Sequence, residues 1–285
     1  MTQILKGKDV ADAMMEGMKR DTEALKSRGI VPALGIIRLG EREDDISYEK
    51  GAKKRCDAAG VAVKNYVLPA DTSQEALLEV IRGINGDPRI HGVLLFRPLP
   101  GHINDRIVRG SLLPAKDIDG ITDGSLAGVF TGTSQGFPPC TAEACMEILA
   151  HYGIDPGGKR VTVVGRSLVI GRPVAMMLMH KNATVTICHT KTRDLPAVVR
   201  EGDIVIVAAG KPESIGREYF REGQVVIDVG IHVKAEGGMC GDVKFAEAEG
   251  LVAAITPVPG GVGTVTTGVS VRHVIEAAKA AADEL

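Results

Sequence analysis

A glycine-containing turn between an aliphatic strand and a helix is the clearest chemical signal in this sequence. Residues 161–173 read VTVVGRSLVIGRP, so that Gly165 ends the strand and Gly171 opens the helix. Backbone N–H groups and the dipole at such a helix start attract phosphate groups. The turn departs from the G-x-G-x-x-G pattern, because Ser167 replaces the second glycine and Gly171 comes one residue late. It predicts nucleotide binding, with a close strand–helix turn that holds no ligand as the alternative.

The residues after the following strand favour NADP over NAD. An NAD site usually places an acidic residue about 20 residues after the first glycine, where it binds the ribose hydroxyls. Here residues 188–192 read CHTKT and contain no acid. Arg166 and Lys191 could instead pair with the 2′-phosphate of NADP through charge-assisted hydrogen bonds. The alternatives are that both cations are solvated loop charges and that the coenzyme is NAD.

Composition and charge argue against several other classes of protein. The 285 residues carry a net charge of −2, which gives no support to a nucleic-acid or acidic-membrane partner. The five cysteines include no C-x-x-C pair, so no metal site is expected and the thiols are predicted to be reduced. No apolar run is long enough to span a bilayer, and the first residues do not resemble a signal peptide. We expect a cytoplasmic protein.

Aliphatic strands alternate with helical patterns twice along the chain. In the first series, strands are predicted at 31–39, 61–68 and 92–96, and helices at 8–28, 45–59 and 73–84. In the second series, strands are predicted at 160–164, 183–188, 204–208, 225–229 and 253–255, and helices at 141–152, 171–180 and 269–282. Thr141 is the predicted N-cap of its helix. Such alternation predicts an α/β fold with parallel sheets.

The two series predict two α/β domains around a cleft. Residues 1–138 are assigned to the first domain, and residues 139–265 to a Rossmann-like dinucleotide-binding domain. A terminal helix within residues 266–285 has no strand after it, so we expect it to pack back on the first domain. Because ligands bind at the carboxyl ends of parallel strands, the cleft is the expected site.

Four motifs together resemble the FolD family, the 5,10-methylenetetrahydrofolate dehydrogenase/cyclohydrolases. They are DDISYEKGAKKRC at 44–56, KDIDG at 116–120, VGRSLVIGRP at 164–173 and TPVPGGVG at 256–263. The motifs occur in the family's order and spacing, so the resemblance covers essentially the whole chain. It implies tetrahydrofolate one-carbon derivatives as substrates, a nicotinamide cofactor on the second domain, and a homodimer.

The resemblance also implies which residues form the site. Tyr48 matches a tyrosine that lines the folate pocket, and Asp119 matches an aspartate that resembles a pterin anchor; both are candidate catalytic residues. The implied substrate-binding residues are Tyr48, Phe96, Pro98, Asp119, Pro259, Gly260 and Gly261. The implied cofactor-binding residues are Thr141, Gly165, Arg166, Ser167, Gly171, Thr190, Lys191, Ile231 and Thr266.

Several of these positions have structural alternatives. The glycine loop at 259–263 is expected to approach the folate and the nicotinamide closely, but it could be a simple glycine turn. Thr141, Ile231 and Thr266 could be a helix cap, a core aliphatic residue and a helix-start hydroxyl, respectively.

Two polar residues of the family's active site are missing from this chain. The lysine position four residues after Tyr48 is Ala52, and the glutamine position before Pro-Leu-Pro is Phe96. Hydride transfer depends on distance and alignment, whereas hydrolysis of the methenyl product needs proton transfer. Neither a methyl group nor a phenyl ring can move a proton. We therefore expect a dehydrogenase with weak or absent cyclohydrolase activity.

Other interpretations remain open on the sequence. A bifunctional enzyme could use Lys53 or Lys50 in place of the missing lysine, although Lys53 is rotated about 100° from position 52 on a helix. The chain could also be a non-catalytic folate- or nucleotide-binding sensor, or another two-domain dehydrogenase that pairs Lys53 with Asp119. The cluster Lys50, Lys53, Lys54 and Arg55 could be a solvated helix face or attract a polyglutamate tail.

Overall fold

The structure, a computed structural model, describes residues 1–283. Its strands are β1 Gln3–Ile4, β2 Ala33–Leu39, β3 Ala62–Leu68, β4 Gly92–Leu95, β5 Arg160–Val164, β6 Thr184–Cys188, β7 Ile204–Val207, β8 Val225–Asp228, β9 His232–Val233, β10 Met239–Cys240 and β11 Ala254–Ile255. Its helices are α1 Gly7–Ser27, α2 Glu43–Ala59, α3 Gln74–Gly86, α4 Asp105–Ser111, α5 Asp123–Thr131, α6 Cys140–His151, α7 Gly171–His180, α8 Leu195–Glu201, α9 Phe245–Ala248 and α10 Val262–Asp283. Short 3-10 helices lie at Pro114–Lys116 and Arg217–Tyr219. The predicted α/β class is confirmed.

The described chain divides into two compact units. Among the described residues, the first unit contains 13–140 and 267–283, and the second contains Met1–Asp12 and Thr141–Thr266. The sequence pattern predicts that residues 1–12 belong to the first domain. In the structure β1 instead pairs in parallel with β11, which belongs to the second unit. A strand of two residues has too few positions to show a period, so the sequence did not reveal this pairing.

The first unit has a three-stranded parallel sheet in the order β3-β2-β4. Strand β2 is buried along its whole length, and its side chains alternate between two cores. Leu34 and Ile36 pack with residues of α1, α2 and α10. Ala33, Ile37 and Leu39 pack with residues of α3 and α4. This burial on both faces explains why β2 reads as a continuous aliphatic run.

The second unit has a six-stranded parallel sheet in the order β1-β11-β8-β7-β5-β6. The chain runs from β5 to β6 on one side and then crosses to β7 on the other side of β5. The strand order therefore reverses between β5 and β7, and ligands of open α/β sheets bind at the carboxyl ends of strands at such a point. An antiparallel pair, β9 and β10, lies outside this sheet.

The predicted elements differ from the observed ones mainly at short elements and at helix ends. Helix α6 begins at Cys140, so Thr141 lies inside its first turn and is not the N-cap. Helix α10 begins at Val262, seven residues before its predicted start, because Gly263 and the threonines after it continue the helix. The two-turn helices α4 and α8 and the helix α5 had no prediction, since few turns give few periodic positions.

Three further observations limit the chemistry of the chain. Within the described part of the chain, none of the helices combines the length and the apolar character needed to cross a membrane. Among residues 1–283, no group of three or more His, Cys, Asp or Glu side chains could hold a metal ion. The five cysteines are all buried, and none of them forms a disulfide.

The packing beneath β4 leads to a stability prediction. A Cβ atom at Gly92 would overlap the Ile118 side chain and lie 3.0 Å from Cγ2 of Val274. We expect Gly92→Ala to lower the free energy of unfolding by about 1–3 kcal/mol, because overpacking forces its neighbours to move. Gly83 in α3 is the matched control, since nothing lies within 4 Å of its added Cβ.

Gly83→Ala is expected to raise the free energy of unfolding by about 0.5–1 kcal/mol, because alanine loses less backbone entropy in a helix. Urea denaturation of both variants and of the parent chain measures the two effects. Equal effects of the two substitutions would contradict the packing argument.

Candidate active site

The candidate folate site in the first unit is built on α2, on the end of β4 and on the segment that follows it. The Tyr48 ring meets the Phe96 ring edge-on, with centroids 5.7 Å apart and an angle of 89° between the planes. Ala52 lies one turn after Tyr48, is 7% exposed and packs in the same core cluster as Phe96. Ala52 and Phe96, the two positions at which the family has a polar residue, therefore belong to one apolar cluster next to the Tyr48 ring.

The Tyr48 hydroxyl remains protonated at neutral pH. Partial burial raises its pKa to about 12, and the nearby Asp119 carboxyl and Cys140 thiol act in the same direction. The positive charge of Arg55 acts against this shift. The hydroxyl can therefore donate a hydrogen bond to a substrate but does not serve as a base at neutral pH.

Arg55 is a site neighbour that the sequence analysis did not single out. Its place among three lysines predicts a solvated helix face or a surface that attracts a polyglutamate tail, yet it is half-buried and acts on the pKa of Tyr48. Its position seven residues after Tyr48 puts both on one face of α2. That i, i+7 spacing is the signal that could have separated Arg55 from the lysines.

The Asp119 carboxyl titrates closer to neutrality than an ordinary aspartate. Partial burial raises its pKa to about 6, with the Asp117 carboxylate adding to the shift. A hydrogen bond with the Cys140 thiol and the charges of His273 and Arg97 act in the opposite direction. Asp119 can therefore present a carboxylate at neutral pH and a carboxylic acid below pH 6.

Lys53 does not occupy the place of the missing lysine. Its Nζ donates to Oε1 of Glu49 at 2.6 Å, and the same buried Glu49 accepts from Arg38 Nε at 2.9 Å and from the Asn65 amide. These hydrogen bonds hold the pKa of Glu49 below its usual value although burial acts to raise it. Lys50, the other candidate, is exposed on the helix surface.

Arg97 and Pro98 follow Phe96 just after the end of β4. The Arg97–Pro98 peptide bond is cis. Both ends of the Arg97 guanidinium donate to Asp105, at 2.6 and 2.8 Å. Arg97 therefore does not replace the missing glutamine, as expected for the neighbour of Phe96 on a strand.

The predicted substrate residues of the glycine loop lie in the second unit, between β11 and α10. The N–H of Gly7 donates to the Gly260 carbonyl at 2.8 Å. A Cβ on Gly261 would overlap the Pro257 carbonyl, and one on Gly7 would overlap the Gly261 carbonyl. Packing against the chain's own backbone therefore already requires glycine at positions 7 and 261. Contact of Gly260, Gly261 and Pro259 with a ligand stays a prediction.

The turn between β5 and α7 is also held by close backbone packing. Gly165 has φ +129°, and a Cβ there would overlap the Ala208 carbonyl. A Cβ at Gly171 would overlap the Gly165 carbonyl. The Ser167 hydroxyl accepts a hydrogen bond from the Ile170 N–H at 3.2 Å, and in the described structure no side chain caps the start of α7. The Arg172 N–H donates to the Ser167 carbonyl at 3.1 Å, so the N–H groups at 170 and 172 already have partners within the turn. Binding of a phosphate at the start of α7 stays a prediction.

Cations flank this turn at the carboxyl edge of the sheet. Arg166 follows β5 and Lys191 follows β6, and these strands pair to their last residues, Val164 and Cys188. Arg166, Lys191 and Thr190 are all exposed. Positive charge next to a turn that is predicted to bind phosphate suits an additional phosphate group.

The three positions with structural alternatives have different surroundings. Thr141 lies in the first turn of α6, where its carbonyl accepts from the Cys145 thiol at 3.4 Å. The Thr266 hydroxyl donates to the Val262 carbonyl at 3.1 Å within α10. Ile231 is 51% exposed, so the interpretation as a core residue is wrong. Its exposed side chain follows β8 at the carboxyl edge of the sheet.

Two buried carboxylates that sequence reasoning missed fix the loops at this edge. Asp228 accepts from the N–H groups of Gly230, Asp242 and Val243 at 3.0–3.1 Å. Asp242 accepts from the N–H groups of Gly210 and Lys211 and pairs with His232 Nε2 at 2.8 Å. Burial raises the pKa of Asp228 to about 6. A D-V-G…G-D-V pairing in the sequence was the available signal.

Comparison with known proteins places these features in context. The family model for the tetrahydrofolate dehydrogenase/cyclohydrolase catalytic domain matches residues 5–119, and the model for the NAD(P)-binding domain of the same family matches residues 139–282. The chain is 47% identical over 279 residues to Bifunctional protein FolD of Alkaliphilus oremlandii, covering 98% of each chain.

Solved structures show the same fold over their full length. The bifunctional FolD methylenetetrahydrofolate dehydrogenase/cyclohydrolase of Campylobacter jejuni superposes with a TM-score of 0.96 at 36% identity, covering 100% of both chains. The Trypanosoma brucei N5,N10-methylenetetrahydrofolate dehydrogenase-cyclohydrolase, which is complexed with NADP cofactor and an inhibitor, gives 0.91 at 34% identity and covers 99% of this chain and 98% of its own.

The raised pKa of Asp119 predicts a pH-dependent effect on stability. The unfolded carboxyl has a pKa of about 3.9, whereas the folded one has a pKa of about 6. Well below pH 4 the carboxyl is protonated in both states and does not affect the free energy of unfolding. Between about pH 4 and pH 6 it ionises in the unfolded chain before it ionises in the folded protein, so the free energy of unfolding falls as the pH rises. Above pH 6 the loss is complete. We expect Asp119→Asn to stabilise the fold relative to the parent at pH 7.5 and to do so much less at pH 4.5.

Thermal unfolding of both proteins across that pH range measures the difference. Asp71→Asn, at an exposed position, is the control and should show no such trend. A constant difference between the Asp119→Asn variant and the parent at every pH would contradict the assignment.

Proposed function

Because the chain belongs to the tetrahydrofolate dehydrogenase/cyclohydrolase family, we propose that it oxidises 5,10-methylenetetrahydrofolate to 5,10-methenyltetrahydrofolate with NADP. The observation that carries the proposal is the Asp119 carboxyl beside the Tyr48 hydroxyl in the first unit. A carboxylate can accept two hydrogen bonds at once, from a ring N–H and an exocyclic amine. That pairing suits the pterin part of the substrate.

The residues of this site act by binding and orienting the substrate. Asp119 anchors the pterin ring, Tyr48 donates a hydrogen bond, and the hydrocarbon of Phe96 excludes water from one side. Bound NADP would supply the hydride acceptor. The methenyl cation left behind is stabilised by its own two nitrogen atoms, so this step needs alignment and no protein base.

Residues of the second unit would hold NADP. Gly165, Ser167 and Gly171 form the turn that suits the pyrophosphate. Arg166 and Lys191, with Thr190, suit the 2′-phosphate. The NADP complex of the Trypanosoma brucei relative supports NADP as the coenzyme. Binding of the cofactor by Thr141, Ile231 and Thr266, and assembly into a homodimer, stay predictions.

Hydrolysis of the methenyl product is a second candidate activity. The names of the relatives, which are bifunctional, favour it over a dehydrogenase without cyclohydrolase activity. Ala52 and Phe96 argue that it runs without the family's lysine and glutamine. We therefore propose a slow cyclohydrolase. Its rate of hydrolysis should be lower than that of a lysine-containing site by up to about 10²–10⁴-fold, which is the typical contribution of general acid–base catalysis. The Glu49 contact argues against a role for Lys53.

The coenzyme assignment is tested by following reduction of NADP and of NAD separately with methylenetetrahydrofolate. We expect NADP to be preferred. Lys191→Ala should raise KM for NADP by roughly tenfold, because a charged hydrogen bond is lost, and should leave KM for NAD unchanged. Lys181→Ala, beyond the opposite end of α7, is the matched control. Equal effects of Lys191→Ala on KM for both coenzymes would exclude a contact with the 2′-phosphate.

The same assay tests the alternative of a non-catalytic sensor. Binding of folate without any formation of NADPH would favour that alternative.

The cyclohydrolase proposal is tested with methenyltetrahydrofolate and no cofactor. Hydrolysis by the parent should exceed the buffer rate only modestly, and Lys53→Ala should leave it unchanged. Introducing a lysine by Ala52→Lys, alone and with Phe96→Gln, should raise hydrolysis by roughly 10²-fold or more if proton transfer limits it. Loss of hydrolysis in Lys53→Ala would restore the alternative in which that lysine replaces the missing one.

A further inference from the structure

The carbonyl group of Ile118, in the peptide bond that joins it to Asp119, is held by two buried side chains. His273 Nδ1 donates to this carbonyl oxygen at 2.7 Å, and the Cys140 thiol donates to it at 3.0 Å. His273 and Cys140 are 0% and 2% exposed. The single Cys140 thiol proton is shared between this carbonyl and the Asp119 carboxyl, whereas His273 Nδ1 donates to the carbonyl at the shorter distance.

The ring of His273 has a fixed orientation. It stacks on Phe137 with centroids 4.7 Å apart and 27° between the planes. Its Nδ1 also lies 3.8 Å from the Cys140 sulfur. Since a carbonyl oxygen can only accept, the proton of this ring sits on Nδ1. His273 lies on α10 among buried residues such as Val271 and Val274. The C-terminal helix therefore supplies this donor.

The backbone on the other side of Asp119 is fixed independently. The buried Asp117 carboxylate accepts from the N–H groups of Ile121 and Thr122, at 3.1 and 2.7 Å, and from the Ser125 hydroxyl at 2.7 Å. Asp117 also forms a parallel bridge with Val93 of β4. Asp119 is thus a partly exposed carboxyl on a short backbone segment whose neighbours on both sides are buried and hydrogen-bonded.

We propose that His273 is a positioning residue for the Asp119 carboxyl and that it acts, with Cys140, through the Ile118 carbonyl. The inference rests on the proposed function, in which Asp119 anchors the pterin ring. Loss of the His273 donor would leave the buried Ile118 carbonyl short of a partner, and the peptide plane would rotate to recover one. That rotation moves the next residue, Asp119, and with it the carboxyl.

The expected kinetic signature follows from where Asp119 acts. An anchor that is distant from the reacting carbon binds the substrate and the transition state equally, so its displacement raises KM and leaves kcat nearly constant. A purely structural defect would instead lower the fraction of active enzyme, and therefore the apparent kcat, without changing KM.

The test compares His273→Leu with His273→Asn in the full-length chain, with methylenetetrahydrofolate and NADP. The two side chains have similar sizes, but only the asparagine amide can donate where Nδ1 did. We expect His273→Leu to raise KM for methylenetetrahydrofolate by roughly tenfold with kcat within about threefold of the parent, and His273→Asn to restore KM to within about threefold. KM for NADP should not change in either variant.

A double-mutant cycle shows whether the effect passes through Asp119. In an Asp119→Asn background the anchor is already lost, so His273→Leu should raise KM no further. An equal rise of KM in both backgrounds, a fall in kcat at constant KM, or an asparagine variant no better than the leucine variant would overturn the proposal.

Two further measurements keep the outcome clear. If His273→Leu does not fold, His273→Phe against His273→Gln makes the same comparison, because phenylalanine keeps a ring against Phe137 without a donor and glutamine supplies one. Equal KM values for that pair would count against the proposal. The parent enzyme separates this inference from the proposed function. If the parent forms no NADPH, the proposed function fails; if it is active and the variants match it, only the positioning role fails.

Discussion

Hydrogen bonds between side chains and the backbone from Ile118 to Thr122 constrain the candidate site of the first unit. This segment follows the 3-10 helix at Pro114–Lys116 and makes one bridge to the sheet, between Asp117 and Val93, so its buried polar groups need side-chain partners. Asp117 supplies acceptors, and His273 and Cys140 supply donors. A carboxyl at position 119 is thereby presented from a backbone that has little freedom to move.

In the second unit, buried side chains likewise hydrogen-bond the backbone of loops, here at the carboxyl edge of the sheet. There Asp228 and Asp242 are buried, and each collects N–H groups from loops that follow neighbouring strands. Burying a carboxylate is unfavourable unless it is hydrogen-bonded. Burial raises the pKa of Asp228 to about 6, although the backbone hydrogen bonds act to lower it. In both units loops at a proposed ligand site are held by buried carboxylates and not by extended sheet pairing.

The replacement of polar side chains by Ala52 and Phe96 separates two demands on the site. Under the proposed function, a hydrocarbon wall can still position two ring systems, because positioning depends on shape and on hydrogen bonds at the periphery. Proton transfer to and from the attacking water would be slowed, because it needs a group that can donate or accept. The nearby cations do not simply restore it: Lys53 is bound to Glu49, and Arg55 stays protonated at any ordinary pH.

The sequence by itself determined the parallel α/β class, the turn at Gly165 and the strand ends at which the candidate residues lie. Those features depend on local periodicity and on glycine and proline signals. Only the tertiary structure decided the partners: β1 with β11, Lys53 with Glu49, and His273 with the Ile118 carbonyl. A sequence pattern shows that a side chain will be buried, but the group it meets is set by packing between segments far apart in the chain.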